Sequence, residues 1–92
     1  MGRPQNRVRE TRTNLGLTRP ALARVLGVSS KHILTIETGR NAPSLSVLLD
    51  LADAFECSID DLYPRELRRE RASVIRSRYL EEVSAKNSAA TA

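Results

Sequence analysis

The segment RPALARVLGVSSKHILTIETGR, residues 19–40, constrains the fold more than any other part of this 92-residue chain. Two stretches with helical apolar spacing are separated there by only Gly27-Val28-Ser29. A connection that short makes two helices cross steeply. Steep crossing sets steric demands all at once. The residue at closest approach must be small, and Ala23 is. The turn needs a positive φ, which Gly27 adopts without a Cβ penalty. Apolar groups must close the angle from both sides, and Leu22, Leu26, Val28, Ile33 and Ile36 stand where they are needed. Any one of these seven positions would be weak alone; together they are a strong signal.

Helix signals continue on both sides, and no alternating apolar run argues for a strand. Pro4 can open a first helix that runs to about Asn14, with Gly16 behind it. Thr18 caps a second helix, with Pro20 tolerated in its first turn and Ala21, Leu22, Val25 and Leu26 on its apolar side. Ser29 caps a third, Ser30 to Thr38, which Gly39 ends. Ser44 caps a fourth, where Leu45, Leu48, Leu51, Ala52 and Phe55 recur at helical spacing. Ser58 caps a short fifth helix, with Ile59 and Leu62 inward and Pro64 closing it. From about Glu66 to Ser84 a charged stretch carries a thin stripe of Ala72, Ile75, Tyr79 and Val83. The tail 85–92 is expected to be disordered, since it has too little apolar content to pack. The division predicted is a domain over 4–64, a further helix over 65–84 and a tail.

Charge is unevenly spread. Residues 1–40 hold eight Arg or Lys and two Glu, residues 41–64 hold five acids and no base, and residues 65–92 hold seven bases and four acids. A basic part beside an acidic one suggests a polyanion on one face, nucleic acid being the natural example. The single cysteine, Cys57, is expected to be a small buried residue, and with one histidine, His32, there is no zinc set. No metal and no cofactor is expected. No Cys–His pair, ligand cluster or phosphate-cradling glycine loop argues for an enzyme. The start, MGRPQNRVRE, is polar and basic, and no stretch reads as a signal peptide or a membrane span. A cytoplasmic protein with no membrane partner is expected.

With these residues in view, RPALARVLGVSSKHILTIETGR resembles the lambda-repressor-like helix-turn-helix family, of the Cro/repressor or XRE-like type. The resemblance covers about Arg7 to Tyr63 and includes NAPSLSVLLDLADAF and CSIDDLY. It implies an all-α fold, a compact five-helix DNA-binding domain, here followed by a C-terminal helix. It also implies that the third helix enters the major groove of a double-stranded operator, usually as a homodimer on a two-fold site, in a bacterial or phage-encoded regulator.

Helix geometry agrees with that expectation. At about 100° per residue, with Ile33 and Ile36 inward, Lys31 and Thr38 point nearly opposite the core. Thr35 lies within about 50° of that outer direction, with Leu34 on its other side and Ser30 and His32 on the flanks. Base contacts are therefore expected from Ser30, Lys31, His32, Leu34 and Thr35. Lys31 can donate to guanine O6 and N7, Ser30 and Thr35 can serve either kind of base, and Leu34 and Thr35 can meet a thymine methyl. Phosphate contacts are expected from Thr18 and Arg19 at a helix start, from Thr38, and from Arg40 and Asn41 beyond the third helix. The family commonly pairs a Glu at the place of Glu37 with an Arg of the first helix. The resemblance thus implies an Arg12–Glu37 ion pair, with Arg12 also near a phosphate. Ala23, Gly27, Ser29, Ile33, Ile36 and Glu37 are the structural residues of the motif.

Some positions depart from the family pattern. Arg19 replaces a frequent Gln, which favours phosphate over base contact. Pro20 and Ala21 replace acidic residues, so no capping box forms there. Thr11 replaces a core Leu, which suggests a lightly packed first helix, and Leu34 is apolar where polar residues are usual. For the C-terminal stretch three readings stand: a dimer contact, packing back through Leu67 and Leu80, or a solvated helix. A transcriptional repressor is the expected function. The alternatives are an antitoxin-like protein whose C-terminal helix binds a toxin or another protein partner, and a restriction–modification controller or other activator.

Overall fold

The computed structural model describes residues 6–91, with side chains as far as residue 87, and its regular elements are all helical. Five α-helices make the domain: α1 Val8–Asn14, α2 Arg19–Leu26, α3 Ser30–Glu37, α4 Leu45–Phe55 and α5 Ile59–Leu62. A 3₁₀ turn, Arg65–Arg68, leads into α6, Arg69–Thr91.

The caps explain most of these boundaries. The side chains of Thr18, Ser29, Ser44 and Ser58 accept hydrogen bonds from Ala21, His32, Val47 and Asp61, each three residues on. Such bonds satisfy amide groups that a helix start leaves free. Ser58 and Asp61 form a full capping box, and the bonds from the Ser58 backbone and side chain hold the Asp61 carboxyl below the usual carboxylate range. Gly27 stops α2 at φ 69°, in the left-handed region. Glu56 ends α4 in the same region at φ 51°, where its amide and that of Cys57 both turn back on the last helical carbonyls.

The first helix starts later than expected. Pro4 lies outside the described residues, and α1 begins at Val8, whose amide donates to Asn6 Oδ1 at 3.0 Å. Asn6 itself is buried and donates from Nδ2 to the Ile36 carbonyl at 3.0 Å. One amide side chain thus opens α1 and satisfies a carbonyl at the end of α3. Arg7 N donates to Leu62 O at 2.8 Å and ties the same segment to α5.

Val8, Leu22, Ala23, Ile33, Ile36, Leu51, Ala52, Phe55 and Leu62 form the core, with Leu17, Leu26, Val28 and Val47 packed against it. Fully burying aliphatic side chains of this size stabilises by about 1.5–3 kcal/mol each relative to exposure. Two expected core positions point outward instead. Val25 is 66% exposed because the buried pair Leu22 and Ala23 centres about 110° away around α2. Leu45 lies about 75° around α4 from the face formed by Leu51, Ala52 and Phe55. Cys57 is half-buried at the core margin, and burial, with the Asp61 charge second, raises its thiol pKa. Thr11 is half-buried on α1, whose buried residues are Val8 and Arg12.

The last helix also differs from expectation. It runs 23 residues to Thr91, past Ser84 and through most of the stretch expected to be disordered. That stretch lacks Gly and Pro and carries Ala85, Ala89 and Ala90, so backbone propensity favours continuation even with no apolar face to pack. Leu80 is exposed, so α6 does not fold back through it. The helix stands out from the domain and stretches the molecule to 59 × 27 × 22 Å.

A Cβ built on Gly27 meets nothing within 4 Å, so the glycine serves only its dihedral angles. Gly27→Ala should therefore lower stability by about 1–2 kcal/mol, the left-handed penalty for an L-residue, with no added clash. Urea unfolding followed by circular dichroism measures this; a loss well above that range would reveal a steric role.

Candidate nucleic-acid interface

Glu37 organises the interface from beneath. Its side chain is only 1% exposed. Arg12 Nε lies 2.6 Å from Oε2, and Arg19 Nε lies 2.8 Å from Oε1. The Arg12–Glu37 pair is thus present, and Arg19 is a second partner that sequence reasoning missed. Arg12 Nη1 also donates to the Leu17 carbonyl at 2.7 Å, and Nη2 approaches Glu37 Oε1 at 3.4 Å. Two guanidiniums share one carboxylate, so α1, the start of α2 and the end of α3 meet at one buried charge. The cluster keeps a net charge of about +1, directed outward through Arg19, which is one-third exposed.

The side chain of Arg12, expected also near a phosphate, is 8% exposed, with its guanidinium turned to Glu37 and Leu17. Arg19 keeps its two terminal nitrogens without a partner among the described residues and is the group that can also reach an anion.

On α3, Ile33, Ile36 and Glu37 face inward. Lys31, Leu34 and Thr38 are the exposed residues, while Ser30, His32 and Thr35 are half-buried. The outer stripe is therefore Lys31-Leu34-Thr38, and Thr35, expected in the stripe, lies at its edge. The chain after Gly39 passes on that side, where Asn41 N donates to the Thr35 carbonyl at 3.2 Å. Thr35 Oγ1 donates to the His32 carbonyl at 2.8 Å, and Thr38 Oγ1 to that of Leu34 at 3.0 Å. Both hydroxyl protons are thus used within the helix, and both oxygens keep lone pairs for a donor from outside. Thr18, Arg40 and Asn41 are exposed around this face. Asn6, also missed, becomes readable only once the helix start is placed at Val8, because an Asn side chain can accept from the backbone amide two residues on.

This arrangement of two helices joined by a three-residue turn, a buried ionic hub and a polar helix face defines a helix-turn-helix module. A family profile described as helix-turn-helix domain matches residues 6–63, well over half of the chain, and the protein belongs to that family. An uncharacterized HTH-type transcriptional regulator of Archaeoglobus fulgidus is 36% identical over 59 residues, 64% of this chain and 84% of that protein. The uncharacterized HTH-type transcriptional regulator YazB of Bacillus subtilis is 37% identical over 60 residues, covering 65% and 87%. An uncharacterized transcriptional regulator in the ATPase CF(0) region of Rhodospirillum rubrum is 48% identical over 54 residues, covering 59% and 50%. The family match ends before α6. Among the described residues no helix is long and apolar enough to cross a membrane, and no group of His, Cys, Asp and Glu is placed to hold a metal ion.

Removing one member of the hub should rank the three residues. Glu37→Ala leaves two cations without their carboxylate, and Arg12→Ala leaves Glu37 with Arg19 alone; each should cost about 3 kcal/mol or more. Arg19→Ala, at a half-solvated pair, should cost about 1 kcal/mol or less. Urea unfolding at neutral pH checks the order; equal costs for Arg12 and Arg19 would contradict the burial difference.

Proposed function

We propose that this protein is a DNA-binding transcriptional regulator that reads a double-stranded operator through the major groove with α3. The observation that carries the reading is the exposed Lys31-Leu34-Thr38 stripe, held outward by Ile33, Ile36 and the Glu37 hub. The relatives named as transcriptional regulators support it. Lys31, with Ser30, His32, Leu34 and Thr35 around it, meets base edges. Thr18, Arg19, Thr38, Arg40 and Asn41 meet phosphates. Binding is by a homodimer to a two-fold site, in the cytoplasm of a bacterium or a phage-infected cell. Regulation is repression by occupancy, which asks nothing of the domain beyond binding. The exposed stripe of α6 favours a second reading, in which a toxin or other protein binds there.

Selection of bound DNA from a random pool, followed by titrations at several salt concentrations, tests this. Lys31→Ala should lose about 1–3 kcal/mol on the selected site and relax one base position. Arg19→Ala and Arg40→Ala should weaken all sequences alike and flatten the salt dependence. Protection should cover two half-sites about 34 Å apart. Equal weakening by Lys31→Ala on every sequence would reject base readout by that residue, and failure to enrich any sequence would reject the function.

A further inference from the structure

Two surfaces outside the α3 face are unusual, and they match each other. The first is on α6, where Ile75 is 46% and Tyr79 56% exposed. With Ala72 they form an apolar strip in a shallow groove framed by Arg68, Arg71 and Arg76. The second is on α4, where Leu45 is 69% and Leu49 46% exposed. Asp50, Asp53 and Glu56 are exposed beside them and make no ion pair among the described residues. One surface is apolar and cationic, the other apolar and anionic.

We propose that the α6 helix of one molecule lies antiparallel along the outer face of α4 in a second copy of this chain, so that each molecule of a dimer gives and receives one helix. The register follows from the spacing. When Leu49 is level with Ile75, an antiparallel alignment sets Leu45 level with Tyr79, Asp53 with Arg71 and Glu56 with Arg68. Asp50 then falls within about one turn of Arg76. On α4 the residues 45, 49 and 53 share one side, with Glu56 at its left-handed C-terminal cap, and on α6 the residues 71, 75 and 79 do too, with Arg68 just ahead in the 3₁₀ turn, because steps of four keep to one helix face. A parallel alignment that keeps Leu45 and Leu49 level with Ile75 and Tyr79 sets Asp53 level with Val83 and Arg71 level with Asn41, so the acids and the arginines do not meet. Pairing α6 with another α6 in parallel register sets the same arginines against each other, a costly juxtaposition, and an antiparallel pair centred on Ile75 sets Arg71 level with Tyr79 and leaves the α4 acids without a partner. A molecule's own α4 is not covered, since α6 leads away from the domain with Ile75, Tyr79 and Leu80 all exposed. The proposal supplies a surface for the dimer of the preceding reading and rests on that reading for pairing, though not for DNA binding.

Two double variants of the full chain test it by light scattering. Arg68→Glu with Arg71→Glu makes both surfaces acidic; Asp53→Arg with Glu56→Arg makes both basic. Each alone should weaken self-association on the order of a hundredfold, because like charges then meet across the contact. Mixed in equal amounts, they should recover the wild-type dimer mass, since both contacts of the mixed dimer are again complementary. Recovery also shows that both variants are folded. A monomeric wild type at high micromolar concentration overturns the proposal. So does an unchanged dimer of the Asp53/Glu56 variant, which points to α6–α6 pairing, and so does a mixture that stays monomeric. DNA titrations of the wild type run beside these separate the two readings: a chain that dimerises as described without binding DNA keeps this proposal and loses the other.

Discussion

One buried carboxylate, that of Glu37, underlies the arrangement of the whole domain. It takes a 2.6 Å bond from Arg12 and a 2.8 Å bond from Arg19, and no other acidic side chain in the described chain forms an ion pair. A buried ion pair is weak evidence for net stability, because desolvation offsets most of the Coulomb attraction. Its value here is geometric. Apolar side chains such as Ile33 and Ile36 fix how far α3 sinks into the core but tolerate some rotation about its axis. A carboxylate that must satisfy two guanidiniums at once tolerates very little. Rotation about the α3 axis decides which residues face outward, so the hub beneath the helix controls the stripe on top of it.

How legible this was from the residues depended on the kind of constraint. The α2–α3 turn was readable because Ala23, Gly27, Val28 and the isoleucines each answer a separate steric demand, and no other pattern answers them all. Serine and threonine caps were readable because each is a local signal. Arg12–Glu37 came from resemblance, not from periodicity, since nothing local links residues 25 apart. Arg19 was placed at a phosphate because its partner is set by how α2 crosses α3, which spacing does not specify. The start at Val8 escaped because Pro4 is an equally good opening signal, while Asn6 acts through a long-range bond to Ile36. Val25 and Leu45 were misjudged for a shared reason: both are apolar and near the inward face, and only the rotation of the packed helix separates flank from core. The end of α6 is not legible in apolar content, because alanines can carry a helix forward without packing.

One of those two apolar groups, Leu45, is informative in its own right. A leucine 69% exposed on a short domain costs solvation without adding to the core. Lone exposed apolar residues are common and need no explanation. Leu45 and Leu49 are not alone, however: three exposed acids, Asp50, Asp53 and Glu56, stand beside them, and the chain carries a second exposed apolar strip set among arginines. The separation of charge along the chain, a basic start, an acidic middle and a basic end, thus has a spatial counterpart. The basic start runs through α1 to α3, the acidic middle through α4 and α5, and the basic end through the 3₁₀ turn and α6. An association between molecules can bring the acidic middle and the basic end together.

The hydroxyl groups of α3 add a constraint to the proposed readout. Thr35 and Thr38 already donate their protons to the carbonyls of His32 and Leu34. Using either hydroxyl as a donor to a base would first break a bond within the helix, whereas accepting from a base breaks nothing. In this rotamer Thr35 suits adenine N6 or cytosine N4 as a donor, or a thymine methyl against its own methyl group, and does not suit guanine. Lys31, one turn earlier, has only donors and suits guanine. The face therefore runs from donor to acceptor and apolar groups along the helix, with Leu34 widening the apolar part. A half-site matched to it would carry guanine under the start of α3 and, beyond it, bases that present adenine N6, cytosine N4 or a thymine methyl. That polarity comes from the rotamers and exposure of three residues, and it constrains the operator even though the spacing of the motif alone does not.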